Sequence, residues 1–259
     1  MNKTALITGA TSGIGYELAY IHAKQGGNVV LVARSKDKLE QIKKDLENKY
    51  KIDVYIIEKD LSLKDSAKNV YDELIKNNIT VDYLINNAGF GDYGFFNESD
   101  WGKLDQMINL NITALTQLTK LFLSDMIKRQ EGKIMNVAST AAFQSGPTMA
   151  VYYATKAYVL SFSEAINNEV KNSGVTVTTL CPGATQSGFQ EAASLQESRL
   201  VKGRKLPTSK EVAEYGYNAM LKGKSVAIHG IVNYLLANSV RFFPRSAVVK
   251  ITRFIQDKR

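Results

Sequence analysis

The chain has 259 residues, 44% of them hydrophobic, and its four prolines are scattered without a Pro/Gly/Ser-rich linker or internal repeat, so one large core in a single α/β domain is expected. The single cysteine, Cys181, excludes an intrachain disulfide, and the absence of an apolar leader or any run of 18 apolar residues argues against a secreted or membrane-spanning protein and for a cytoplasmic one. The net charge of +8 is concentrated at one end, where residues 220–259 hold eight Lys/Arg against Asp257, so the body is nearly neutral and a general nucleic-acid-binding surface is excluded.

Strand-like runs recur with helical segments between them: 4–8, 28–33, 53–58, 81–86, 132–139, 175–180 and 225–229. This alternation predicts a doubly wound, mainly parallel seven-stranded sheet with helices on both faces, as apolar strands between amphipathic helices require. One such helix is SKDKLEQIKKDLENKY, with Leu39, Ile42 and Leu46 as its apolar stripe. Residues 1–230 would form this α/β domain, and 231–259 a basic helical extension of it. Ligands of such sheets bind beyond the carboxyl ends of the strands, which makes the loops after each strand the informative ones.

The first of these loops, TGATSGIG, leads straight into the helical ELAYIHAKQ. Its glycines permit a tight turn and close backbone approach, and the helix N-terminus offers free N–H groups to a pyrophosphate, so the segment reads as a dinucleotide cradle. Its spacing is G-x-x-x-G-x-G. The second strand ends in Ala33-Arg34, with Ser35 and Lys38 close by, where an NAD enzyme would carry an acid for the ribose 2′-hydroxyl. An arginine there would bind a 2′-phosphate instead, which points to NADP(H).

Further along, VYYATK sets two adjacent tyrosines before one lysine. On a helix, residues four apart share a face, so Lys156 lies beside Tyr152 while Tyr153 points about 100° away. A neighbouring ammonium favours a phenolate, which would make Tyr152 a usable acid/base. Tyr20 with Lys24 and Tyr55 with Lys59 repeat the spacing, so the pair does not carry the assignment alone.

TGATSGIG, the Asn86-Asn87-Ala88-Gly89 quartet, Ser139, YYATK and Cys181-Pro182-Gly183, in this order over residues 3–230, resemble the short-chain dehydrogenase/reductases. The resemblance implies a Rossmann-type fold and a carbonyl/alcohol oxidoreductase using NADP(H). Gly9, Gly13 and Gly15 would then shape the pyrophosphate turn, with contacts from Thr11, Ser12 and Ile14. Asp60 and Leu61 would meet the adenine, and Asn87, Ala88 and Gly89 would pass the adenosine ribose. Pro182, Gly183, Thr185 and Ser187 would hold the carboxamide, Ser187 standing where the family more often has Thr. Tyr152 would donate the proton, Ser139 would hydrogen-bond the carbonyl oxygen, and Lys156 would lower the tyrosine pKa and hold the nicotinamide ribose. Asn111 matches the residue that positions a relay water, although Ile112-Thr113-Ala114 follow it where the family has a valine and a glycine. No metal is implied.

The substrate would be a small, apolar carbonyl or alcohol in a pocket built from residues 185–210 and from Phe90, Tyr93, Phe95, Phe96, Phe143 and Tyr153, in a homo-oligomeric protein. A non-catalytic NADPH sensor is the other class, and it would be marked by loss of the serine, tyrosine or lysine. The basic tail is expected to pack as a helical cap over the cleft, interrupted at Pro244, with a membrane-surface lipid carbonyl reductase as the alternative.

Overall fold

The computed structural model describes residues 3–189, 203 and 205–257. Seven strands form one parallel sheet: β1 Thr4–Thr8, β2 Asn28–Ala33, β3 Val54–Glu58, β4 Tyr83–Asn86, β5 Gly132–Val137, β6 Val175–Cys181 and β7 Val226–Ile228, in the order β3-β2-β1-β4-β5-β6-β7. All seven expected strands form; β4 begins at Tyr83 and β5 stops at Val137, where the chain turns toward the cavity. The order reverses between β1 and β4, and that switch point opens the crevice in which such sheets bind ligands.

Side chains alternate across the sheet and bury two apolar layers. Ala5, Ile7, Val29 and Leu31 pack with Leu18 and Ala19 of α1 (Gly13–Lys24), Leu39 and Leu46 of α2 (Lys36–Tyr50), and the helix after residue 208. Leu6, Val30, Val32 and Ile134 pack with Val70 and Leu74 of α3 (Ser66–Lys76) and with Leu118, Phe122 and Met126 further on. Between β4 and β5 the chain forms α4 (Trp101–Ile108), a π-helical turn Asn109–Ala114, and α5 (Leu115–Arg129). Helix α6 (Ala150–Glu169) carries both adjacent tyrosines, and α7 (Ser209–Leu221) starts from a Thr208/Glu211 capping box. Two further helices, α8 (Ile231–Ser239) and α9 (Arg245–Gln256), complete the described chain, with Pro244 at the N-cap of the second.

Candidate active site

The cradle is built by glycines that nothing larger could replace. Gly9 adopts φ +65°, which only glycine adopts without strain. A Cβ on Gly15 would fall 2.4 Å from both the Asn87 Nδ2 and the Gly9 carbonyl oxygen. Asn87 donates from Nδ2 to the Thr8 carbonyl at 2.9 Å, and the Thr8 hydroxyl accepts from Asn87 N at 3.0 Å and Ala88 N at 2.9 Å. The β4 loop therefore fixes the β1 turn.

From this turn a cavity of about 1340 Å³ runs along the carboxyl ends of the strands. Gly9, Thr11, Ser12, Gly13, Ile14, Arg34, Asp60, Leu61, Asn87, Ala88, Gly89, Ser139, Tyr152, Lys156, Pro182, Gly183, Thr185 and Ser187 all line it. Gly15 supports the turn from behind. Asp60 keeps one carboxylate oxygen on Ser62, accepting from its N at 2.9 Å and its Oγ at 2.7 Å.

Cations gather where β2 and β3 end. Arg34 and Lys38 line the cavity, as their sequence position suggests, and Lys59 joins them. Lys59 escapes a reading by motif. Its signal is the parallel register, which sets Ala33 beside Glu58 and lets Lys59 N donate to the Ala33 carbonyl at 2.9 Å.

Tyr152 and Tyr153 are both buried, and their partners differ. The Tyr152 hydroxyl faces Ser139, which begins the short turn Thr140–Phe143 by accepting from Ala141 N at 3.1 Å. The Tyr153 phenol faces Gln256 of α9, and burial pushes it up to about 12. The two rings diverge by 76°. Lys156 lies beneath Tyr152, with Nζ 5.8 Å from the ring centroid, and donates to the Val137 carbonyl at 2.8 Å.

The expectation that Lys156 lowers the Tyr152 pKa is not what dominates. Burial raises the phenol well above its ordinary range, opposed by donation from Ser139, and burial also lowers Lys156 to about 8. Desolvation is the largest influence on both partners of the pair.

Asn111 differs in a second way. It lies in the π-helical turn, 1% exposed, outside the cavity wall. Its amide donates to the Phe90 carbonyl and the Thr155 hydroxyl, both at 3.0 Å, and accepts from Phe90 N at 3.2 Å. Only Gly89 separates it from the ammonium: a Cβ there would stand 2.9 Å from Asn111 Oδ1 and 3.3 Å from Lys156 Nζ.

The aromatic pocket is largely corrected. Phe90 and Tyr153 line the cavity, and Tyr93 packs behind Tyr152 and Met149. Phe143 packs with Val159 and Leu160 beneath α6, because its turn faces that layer, while Phe95 and Phe96 lie at the surface. Most of the apolar wall comes instead from Met149, Phe189 and the α8–α9 segment. Of the expected 185–210 loop, residues 190–202 and 204 lie outside the described residues.

The sequence profile of the short chain dehydrogenases matches residues 3–198. The chain belongs to this family. Among the relatives of this short-chain dehydrogenase, the very-long-chain 3-oxoacyl-CoA reductase of Homo sapiens is 33% identical over 189 residues, which are 70% of this chain and 59% of that protein. The Mus musculus protein of the same description is 30% identical over 261 residues, 97% of this chain and 78% of that one. The chain thus spans about three fifths of the length of the first relatives it matches. Among solved structures, a short-chain dehydrogenase from Sphingobium yanoikuyae in complex with NADPH has a TM-score of 0.81 at 28% identity, covering 93% of this chain and 94% of that one. L-Sorbose reductase from Gluconobacter frateurii, complexed with NADPH and L-sorbose, has a TM-score of 0.75 at 25% identity, covering 88% and 94%.

The Sphingobium yanoikuyae dehydrogenase and the Gluconobacter frateurii reductase hold the nicotinamide cofactor NADPH. The residues present fit such a group: a glycine turn that a Cβ would fill opens into the same cavity as the Tyr152 hydroxyl.

Proposed function

We propose that the chain is an NADP(H)-dependent carbonyl reductase with Tyr152 as proton donor. The observation that carries the reading is the placement of Tyr152 and Ser139 together in the wall of a cavity whose far end holds Arg34, Lys38 and Lys59. Those three cations would hold a 2′-phosphate, and Arg34 stands directly after β2 where a carboxylate would repel it. The glycine turn and the N-terminus of α1 would hold the pyrophosphate.

When bound, the nicotinamide supplies the hydride that reaches the carbonyl carbon. As that carbon is reduced its oxygen gains negative charge, which Ser139 stabilises by hydrogen bonding while Tyr152 delivers its proton to the oxygen. A phenol held protonated by burial is an acid ready for this direction of reaction. Lys156 would hold the nicotinamide ribose from beneath. The presence of all three groups in one wall disfavours a non-catalytic sensor.

The apolar wall supplied by Met149, Phe189, Leu236, Val240, Phe243 and Ile251 supports a carbonyl on an aliphatic chain, and the names of the relatives suggest long-chain 3-oxoacyl thioesters as the first class to assay. The test is oxidation of NADPH and of NADH with 3-oxoacyl thioesters, aldehydes and ketones, alongside the variant Arg34→Asp/Lys59→Glu. NADPH is expected to be preferred, and the variant to weaken NADPH by roughly tenfold or more while leaving NADH binding within about twofold. Equal or tighter binding of NADH by the unaltered protein would overturn the cofactor assignment.

A further inference from the structure

Helices α8 and α9 present apolar surface in two directions. Inward, Val240, Val248 and Ile255 line the cavity, Thr252 and Gln256 are buried, and Gln256 reaches Tyr153. Outward, Ile231 is 70%, Leu235 60% and Phe242 84% exposed, and none of the three lines the cavity. Leu236, Phe243 and Ile251 do both: each lines the cavity, and each is more than half exposed. These three mark its mouth, so the cavity opens through an apolar rim. The surface continues onto Phe95, whose ring lies 4.9 Å from the Arg253 guanidinium carbon, and onto the exposed Phe96.

The α8–α9 segment itself carries a net positive charge. Arg241, Arg245 and Lys250 are exposed and have no ion-pair partner among the described residues. The acid of the segment, Asp257, is held by Arg253 at 2.8 Å. A second copy docked with the two α8–α9 segments face to face across a two-fold axis would bring the same cations against themselves, with Asp257 already held by Arg253. An anionic lipid surface answers both features, since headgroups take the cations and the acyl boundary takes the side chains. Neither helix spans a bilayer: at 9 and 12 residues they are about 14 and 18 Å long against a hydrocarbon core of about 30 Å. They would have to lie in the interface.

We propose that the α8–α9 segment docks the protein peripherally on an anionic bilayer, with Ile231, Leu235 and Phe242 at the headgroup–acyl boundary and the cavity mouth facing the membrane. An apolar substrate then enters from lipid without crossing water, a consequence that rests on the reductase reading, whereas the docking itself does not.

Co-sedimentation with vesicles of phosphatidylcholine containing phosphatidylglycerol, and with phosphatidylcholine alone, tests it. The full chain is expected to sediment with the anionic vesicles and to be released by high salt. Two variants should each lower the bound fraction about tenfold or more: Ile231→Asn/Leu235→Asn/Phe242→Asn through lost apolar contact, and Arg241→Glu/Arg245→Glu through charge. Turnover of a small soluble ketone should stay unchanged in both, because none of the five residues lines the cavity. Failure to sediment with anionic vesicles, equal and salt-insensitive sedimentation with neutral ones, or a dimer that the asparagine variant dissolves without any vesicle binding would overturn the proposal. Sedimentation reads no turnover, so an inactive chain that still binds vesicles leaves docking standing, and an active chain that does not bind leaves the reductase standing.

Discussion

Two tyrosines one residue apart have opposite employments because a helix turns about 100° per residue. Tyr152 meets Ser139, whereas Tyr153 meets Gln256 of the C-terminal helix. Tyr152→Phe is therefore expected to leave NADPH binding within about twofold while turnover falls by two or more orders of magnitude. Tyr153→Phe should keep most of the turnover and lower the melting temperature. A binding titration beside single-turnover kinetics separates the two, and the reverse pattern would overturn the assignment. Which tyrosine lies beside Lys156 was legible in the sequence because it depends only on helical period. The state of Lys156 was not, because it depends on how completely the fold encloses it. Its folded value of about 8 lies below the ordinary 10.5, so between these the unfolded chain holds a proton that the folded chain has released, and stability rises with pH through that window. Lys156→Met removes this term. Its stability relative to the unaltered protein should be most favourable below pH 8 and decline by roughly 2–3 kcal/mol towards pH 10, read from denaturant melts at each pH. Any constant offset from the lost bond to the Val137 carbonyl does not change with pH, so the slope is the diagnostic.

Elements whose signal is local appear where the sequence puts them, and those whose identity depends on neighbours do not. The strands, the glycine turn and the Leu39/Ile42/Leu46 stripe follow from period and composition, and all three residues of the stripe are buried. The π-helical turn at Asn109–Ala114 carries no such mark. One extra residue in a helical turn is decided by what packs against it, here Phe90 and Thr155 on the Asn111 amide. Lys59 was missed for the same reason, since only the pairing of β2 with β3 brings it to Arg34. The glycine turn permits a sharp test at Gly15. Alanine is favoured in a helix by about 1 kcal/mol, but its methyl would meet a backbone oxygen and the Asn87 amide at 2.4 Å, and such overpacking costs about 1–3 kcal/mol. The clash should win because the Gly9 carbonyl belongs to the turn and has nowhere to move. Gly15→Ala is expected to be destabilised by about 1–2 kcal/mol and to bind NADPH at least tenfold more weakly, measured by melting and by cofactor fluorescence. Unchanged affinity with unchanged stability would show that the β1 turn tolerates the displacement.

At the scale of the whole molecule, the chain's two ends meet: a cavity begun by the turn after β1 is closed by residues beyond β7. The sequence announced the first half through its glycines and the second only as a basic, apolar tail, because a wall made of ordinary aliphatic residues has no motif. Val240, Phe243, Val248, Ile251 and Ile255 could equally have been core or surface until the fold placed them over the cavity. If α9 is part of that wall, deleting residues 241–259 should do two separable things. It should expose the apolar faces that α9 now covers, lowering the melting temperature by several degrees at about 2–4 °C per kcal/mol for a chain of this size. It should also raise KM for an apolar ketone more than KM for NADPH, because the cations and glycines that would hold the cofactor lie at the opposite end of the cavity. A truncated chain that melts like the full one, with both KM values unaltered, would show that α9 lies over the cavity without closing it.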